Sequence, residues 1–143
     1  MTDLRFAFPG DDPALEDWRR IHNTVVPPWP LSLPEVRERA GRNRLELAYL
    51  GAAAVGNSTV RPPDADGVAT VIARVLPEHR GRGFGTLIHS RALDAARALG
   101  AAAIETLVLA ANVDGVRFAE RQGYVEVERY EVHGAQEVRL RLR

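Results

Sequence analysis

The chain contains no cysteine and no lysine. The first absence excludes disulfides, thiolate metal sites and a cysteine nucleophile. The second excludes a Walker A loop, which must end its glycine-rich turn on Gly-Lys-Ser/Thr. All 19 basic residues are therefore arginine, and 19 acidic residues bring the formal net charge to zero. Such a balance gives no bulk field favouring nucleic acid or an anionic membrane, so neither is an expected partner. No apolar run approaches a membrane span, and Met1-Thr2-Asp3 opens no signal-peptide pattern, so a cytoplasmic protein is expected. The His, Asp and Glu residues show neither metal-ligand spacing nor a Ser-His-Asp arrangement, so no metal is expected.

What remains is ordinary for a soluble domain. There are 143 residues, 45% hydrophobic and 27% charged, enough for one domain over residues 1–143 with a sizeable core. Leu4 to Phe8 reads as a strand stopped by Pro9-Gly10. Asp11 or Asp12 caps a helix with Pro13 in its first turn and an apolar stripe of Leu15, Trp18, Ile21 and Val25. Val26 to Pro30 breaks it. Ser32 and Glu35 form a capping box for a second helix, which ends near Gly41. Leu45 to Leu50 and Ala52 to Val60 are strand-like, Arg61 to Gly67 is a loop, and Val68 to Val75 is another strand.

The next stretch organises the rest. Val75 to Thr86 reads VLPEHRGRGFGT and joins that strand to a helix running to Gly100. The first N–H groups of a helix lack intrahelical partners and carry partial positive charge, which suits an anion. Gly81, Gly83 and Gly85 let a phosphate approach the backbone, and Arg80 and Arg82 offer planar forks of donors. A dinucleotide fingerprint fails on spacing, because its last glycine would fall on Thr86. The helix is expected to bury Phe84, Leu87, Ile88, Ala92, Ala95 and Leu99, with Asp94 and Arg97 outward. Beyond it come a buried strand, Ile104 to Ala110, and a short helix, Asn112 to Gln122, closed by Gly123. Tyr124 to Val132 and Glu137 to Leu142 then form a hairpin.

The run Arg80-x-x-Gly83-x-Gly85, preceded by Val75-x-Pro77, resembles the acyl-CoA diphosphate loop of the GNAT superfamily of N-acetyltransferases. The family pattern is Gln/Arg-x-x-Gly-x-Gly/Ala. A second element, Asn112-x-x-Gly115 with Phe118 and Gly123-Tyr124, is similar to the family's Asn-x-x-Ala … Gly-Phe. The element order β-α-α-β-β-β-α-β-α-β-β matches the family's α/β (α+β) fold over essentially the whole chain: a central mixed sheet flanked by helices. The specific motifs lie between Val68 and Tyr124. By resemblance, acetyl-CoA is the cosubstrate, held by Val75, Arg80, Gly81, Arg82, Gly83, Phe84, Gly85, Thr86 and Asn112. Two strands would splay to admit its pantetheine arm, and the acceptor would be an amine of a small molecule or a peptide. A homodimer stays open.

The resemblance breaks where the family commonly has an acid. The position seven residues after Asn112, commonly tyrosine, is Ala119. Tyr124 lies beyond Gly123 and is expected to face the core. For the base the sequence offers Glu105, Glu46 and His22, each with an alternative reading as a solvated or satisfied polar residue. His79 is expected to face solvent beside the phosphates. Trp29 either lines an acceptor site or packs on the sheet edge. Two functions follow: an N-acyltransferase acting by direct transfer, or an acyl-CoA-binding module, alone or as half of a tandem protein, that lacks the acid.

Overall fold

The computed structural model describes residues 3–143; Met1 and Thr2, the head of the segment read above for a leader, lie outside it. Its elements follow the expected order: β1 (Leu4–Ala7), α1 (Asp12–Val25), α2 (Leu33–Arg42), β2 (Arg44–Leu50), β3 (Ala53–Arg61), β4 (Val68–Val75), α3 (Phe84–Ala98), β5 (Ala103–Leu109), α4 (Val113–Arg121), β6 (Tyr124–Val132) and β7 (Ala135–Leu142). A short 3₁₀ turn at Pro77–His79 follows β4.

Local chemistry sets the helix ends. Asp11 accepts a hydrogen bond from the N–H of Ala14 at 3.0 Å and starts α1. Ser32 and Glu35 make both bonds of the capping box of α2. On α4, the side chain of Asn112 accepts from the N–H of Gly115 at 3.1 Å. A Cβ at position 115 would stand 2.6 Å from the Asn112 amide nitrogen, so glycine there keeps the cap in place.

The strands form one seven-stranded sheet in the order β1-β2-β3-β4-β5-β7-β6. All pairs are antiparallel except β4 with β5. Alternation along β3 separates two apolar clusters. Val60 joins Val71, Ala92 and Ala96 against α3, while Leu45 and Leu47 join Trp18 and Ile21 beneath α1. Asn57 and Thr59 lie on the α1 side, where the Asn57 amide donates to the Trp18 carbonyl at 3.0 Å.

One expected face is corrected. Leu87 and Leu99 are about half exposed, and α3 instead buries Phe84, Ile88, His89, Ala92 and Ala96. The four-residue spacing of Phe84, Ile88, Ala92 and Ala96 defines a narrow stripe. Leu87 and Leu99 sit off its edge, and His89 is drawn in by a partner described below.

The sheet is divided internally. β4 and β5 pair only at Val68–Ala103, Ala69–Ile104 and Thr70–Glu105. Beyond Thr70, β4 keeps its pairing with β3 up to Val75, and β5 keeps its pairing with β7 up to Leu109. At the far end of β4 the β2–β3 register shifts, with Ala48 opposite Gly56 and Tyr49 opposite Ala54. The extra residue, Val55, accepts the N–H of Leu76 through its carbonyl at 3.0 Å. Such a bulge raises local twist next to the point where the strands part.

Candidate active site

The gap between β4 and β5 is the floor of a cleft of about 450 Å³. Val75, Leu107 and Leu109 line its middle, and Gly81, Gly83 and Gly85 line the end beside α3. Gly81 and Gly83 take left-handed conformations at φ +77° and +82°, and a Cβ at either would meet nothing within 4 Å. Gly83 is the N-cap of α3, and no side chain caps that end. The first N–H groups of a fifteen-residue helix therefore face an open, glycine-walled concavity.

Gly85 does something else. A Cβ there would stand 3.3 Å from the Phe118 ring, so this glycine lets α3 pack closely on α4. Arg80 also lines the cleft, its Nε donating to the Val75 carbonyl at 3.0 Å. Arg82 does not line it; its guanidinium lies 4.9 Å over the Phe84 ring. Phe84, Thr86 and Asn112 are on the wall. His79 is half-buried on the wall, with an Nδ1 that has no partner among the described residues.

Deeper in, Ala119 is 4% exposed and packed with Tyr124, Val138 and Leu140. Tyr124 is buried as expected, yet it also forms part of the cleft wall. Its hydroxyl lies 2.9 Å from Nε2 of His89, and the rings meet edge to face. Burial pushes the phenol well above its ordinary range and, with a smaller contribution from Arg97, holds the imidazole below its own. No local pattern marks this pair, because thirty-five residues separate its members.

A second pocket of about 520 Å³ adjoins the first, and Val26, Ile72, Arg74, Leu107 and Leu109 line both. Trp29 lines this pocket, its indole N–H donating to the Val132 carbonyl at 3.1 Å. The Pro-rich elbow is thereby tied to the β6–β7 hairpin.

Of the three carboxylate and histidine candidates, only His22 lines either pocket. Glu46 is buried against Arg91 and Arg44 on β2, away from the gap. Glu105 lies at the closed base of the gap, where Arg139 and Arg141 hold it at 2.7 and 2.8 Å. Both are held in ion pairs and line neither pocket; Glu46 is bonded through Oε1, and its Oε2 is buried without a hydrogen-bond partner among the described residues.

His22 stacks on Trp18, with ring centroids 5.6 Å apart. Asn23 fixes its tautomer. The Asn23 amide donates to the Leu31 carbonyl and its oxygen accepts the Leu31 N–H, so the oxygen 3.0 Å from His22 Nδ1 is an acceptor. Nδ1 thus carries the proton and Nε2 is left with a lone pair. Burial, and then the charge of Arg74, lower the pKa to about 4.

A stability prediction follows from that shift. The unfolded chain protonates His22 near pH 6.5 while the folded chain resists until about pH 4. In that window the unfolded state binds more protons, so stability falls on acidification. From pH 7 to pH 5, wild type is expected to lose about 2 kcal/mol more than His22→Gln, measured by urea unfolding. Equal losses would mean that His22 is not held neutral.

Arg74 is the residue that sequence reasoning missed altogether. It is 7% exposed, lies 5.3 Å over the Trp18 ring, and donates from Nη1 to Asn57 at 3.2 Å and Thr59 at 3.1 Å. Its Nε is buried without a partner among the described residues. Burial first, then the charges of Arg61 and Arg39, bring its pKa down to about 9, so it stays cationic at neutral pH.

A glycine-walled helix N-terminus beside a split parallel strand pair is the architecture of an acyl-CoA-handling fold, and residues 12–124 match the acetyltransferase (GNAT) family. The chain belongs to that family of acetyl-group transferases. Solved structures share the fold. The ribosomal-protein-S18-alanine N-acetyltransferase of Escherichia coli superimposes with a TM-score of 0.77 at 16% identity, over 98% of this chain and 93% of that one. The protein yncA of Salmonella typhimurium, in a structure holding its cofactor acetyl-CoA, gives 0.76 at 16% identity, over 99% and 92%. A Bacillus subtilis acetyltransferase in complex with CoA gives 0.74 at 16% identity, over 99% and 98%. No curated protein sequence matches the chain.

Proposed function

We propose that the protein, acting as one domain, binds acetyl-CoA in the first cleft and transfers its acetyl group to an amine entering through the second pocket. One observation carries the reading: β4 and β5 part beside a helix N-terminus that no side chain caps. The residues fit the cosubstrate at both ends. A diphosphate needs backbone donors with open space above them, which Gly81 and Gly83 supply. An extended arm carrying amides needs an unpaired strand edge, which β4 presents beyond Thr70.

Acetyl-CoA supplies a thioester whose thiol, with a pKa near ~8.5, leaves tolerably as the thiolate. The neutral amine forms a bond to the acetyl carbon, the carbon–sulfur bond breaks, and the amine proton leaves through a base. An ammonium substrate thus gives the N-acetyl product, free CoA thiol and one proton. The chain contributes proximity by opening both pockets onto the same strands. His22 holds a lone pair on the acceptor side, and the buried Tyr124 phenol, raised well above its ordinary range, is a weaker acid than the thiol and need not protonate the leaving group. Ala119 contributes no acid.

Two measurements test this. In calorimetry, Arg80→Ala is expected to weaken acetyl-CoA about 10-fold while leaving pantetheine fragments without the diphosphate unaffected. Equal losses for both ligands would assign Arg80 to folding. Release of free CoA thiol is then followed across amines, polyamines, aminoglycosides and peptides. Saturable acetyl-CoA binding without release from any of them would leave a binding module in place of a transferase.

A further inference from the structure

The second pocket carries more positive than negative charge. Arg39 from α2, Arg61 from the end of β3 and Arg74 from β4 all line it. None is within ion-pairing distance of a carboxylate among the described residues. Two carboxylates share the wall, and both are engaged. Glu35 accepts the Ser32 N–H at 2.9 Å within its capping box, and Glu137 accepts the Tyr130 hydroxyl at 2.7 Å. The remaining titratable groups on the wall are His22 and His133. Burial and mutual repulsion act on the arginines together: Arg61 is held below its ordinary range by burial and by Arg39, with only partial relief from Glu137.

Burying a guanidinium without a counter-charge is costly, and removing a partner from a buried pair is strongly destabilising. The chain places three cations in one pocket and leaves the Nε of the most buried one without a partner. Glu35 and Glu137 stay charged while they accept those bonds, so three arginines against two carboxylates leave the pocket net positive, and an anion from outside the chain would complete it.

We propose that this pocket is an anion subsite, and that the acceptor is a small amine of the amino-acid type whose carboxylate is held by Arg74 and Arg61, with Arg39 adding to the field. The proposal rests on the transferase reading above and narrows its substrate. The pocket's size favours a small molecule: about 520 Å³, bordered by the elbow that Trp29 pins to the hairpin. Planar guanidinium forks suit a carboxylate, and the apolar residues Ile72, Leu107 and Leu109 continue from the subsite towards the first cleft. The same anion would act on His22. Burial is the main cause of that imidazole's lowered basicity and Arg74 the largest charge adding to it, so an anion on Arg74 returns part of the basicity when the acceptor is seated.

The test uses the full chain with acetyl-CoA and follows thiol release. Amino acids are compared with their carboxamides and with the amines left when the carboxylate is removed. The carboxylates are expected to show kcat/KM higher by about 10- to 100-fold, mainly through KM. Arg61→Ala is expected to erase that preference and Arg61→Lys to restore part of it. Arg61 is half-buried and holds no side-chain partner, so both variants are expected to fold; circular dichroism checks this. Arg74→Lys, which keeps the charge and loses the fork, should raise the carboxylate KM without reversing the preference. Equal or better turnover of the amines lacking a carboxylate would overturn the subsite while leaving the transferase standing. Silence with every amine would overturn the transferase instead. Calorimetry of N-acetyl amino acids with the CoA-bound protein then decides the subsite: binding lost in Arg61→Ala upholds it, and no binding to wild type ends it.

Discussion

Gly83→Glu is expected to lower the affinity for acetyl-CoA by about 100-fold or more while the protein remains folded. Gly83 sits at φ +82° as the N-cap of α3, so any L side chain there carries about 1 kcal/mol of backbone strain. A Cβ meets nothing within 4 Å, so no neighbour is displaced. Gly83→Ala has the same strain without the charge, and comparing the two variants by calorimetry isolates the repulsion between glutamate and diphosphate. Unchanged affinity in Gly83→Glu would remove the diphosphate from this loop. Gly85 makes the contrast. It faces Phe118 rather than open space, so a side chain there should disturb the packing of α3 on α4 before it disturbs the anion.

Gly56→Ala is expected to cost about 3 kcal/mol of stability, at the upper end of overpacking penalties, and to lower Tm by about 10 °C. A Cβ at position 56 would lie 2.6 Å from the Arg74 carbonyl oxygen and 2.6 Å from Ile88 Cδ1. Ile88 can rotate away. The carbonyl cannot, because it belongs to the backbone of β4. The strand must therefore shift where Arg74 and Val75 build the site, so acetyl-CoA affinity should fall with stability. A loss below about 1 kcal/mol in thermal melts would show that β4 moves freely at this point, against the tight register with β3.

The loop and its helix were legible in the sequence because their chemistry is local. Gly81, Gly83 and Arg80 lie within four residues, and a strand–loop–helix signature needs no partner from elsewhere. Capping of α1 and α2 was readable for the same reason. The arginine-lined pocket was not, because Arg39, Arg61 and Arg74 come from α2, β3 and β4 and meet only in the folded chain. In a chain whose every basic residue is arginine, residue type alone does not single them out. Glu46 and Glu105 misled for a related reason: the arginines that neutralise them lie 34 to 45 residues away. Leu87 and Leu99 misled because an alanine-rich helix blurs the edge of its own apolar stripe.

The split between β4 and β5 gives this sheet two kinds of border. The outer strand β6 carries Glu126, Glu128, Arg129 and Glu131 along its length, the charged dressing that discourages a stray strand from adding on. The inner borders are different. Ile72, Ala73, Val75, Leu107, Val108 and Leu109 would make an adhesive edge on any outer strand. Here they line a recess inside the sheet instead of its rim. Charge guards the outside of the sheet against aggregation, and placement within the sheet guards the inside.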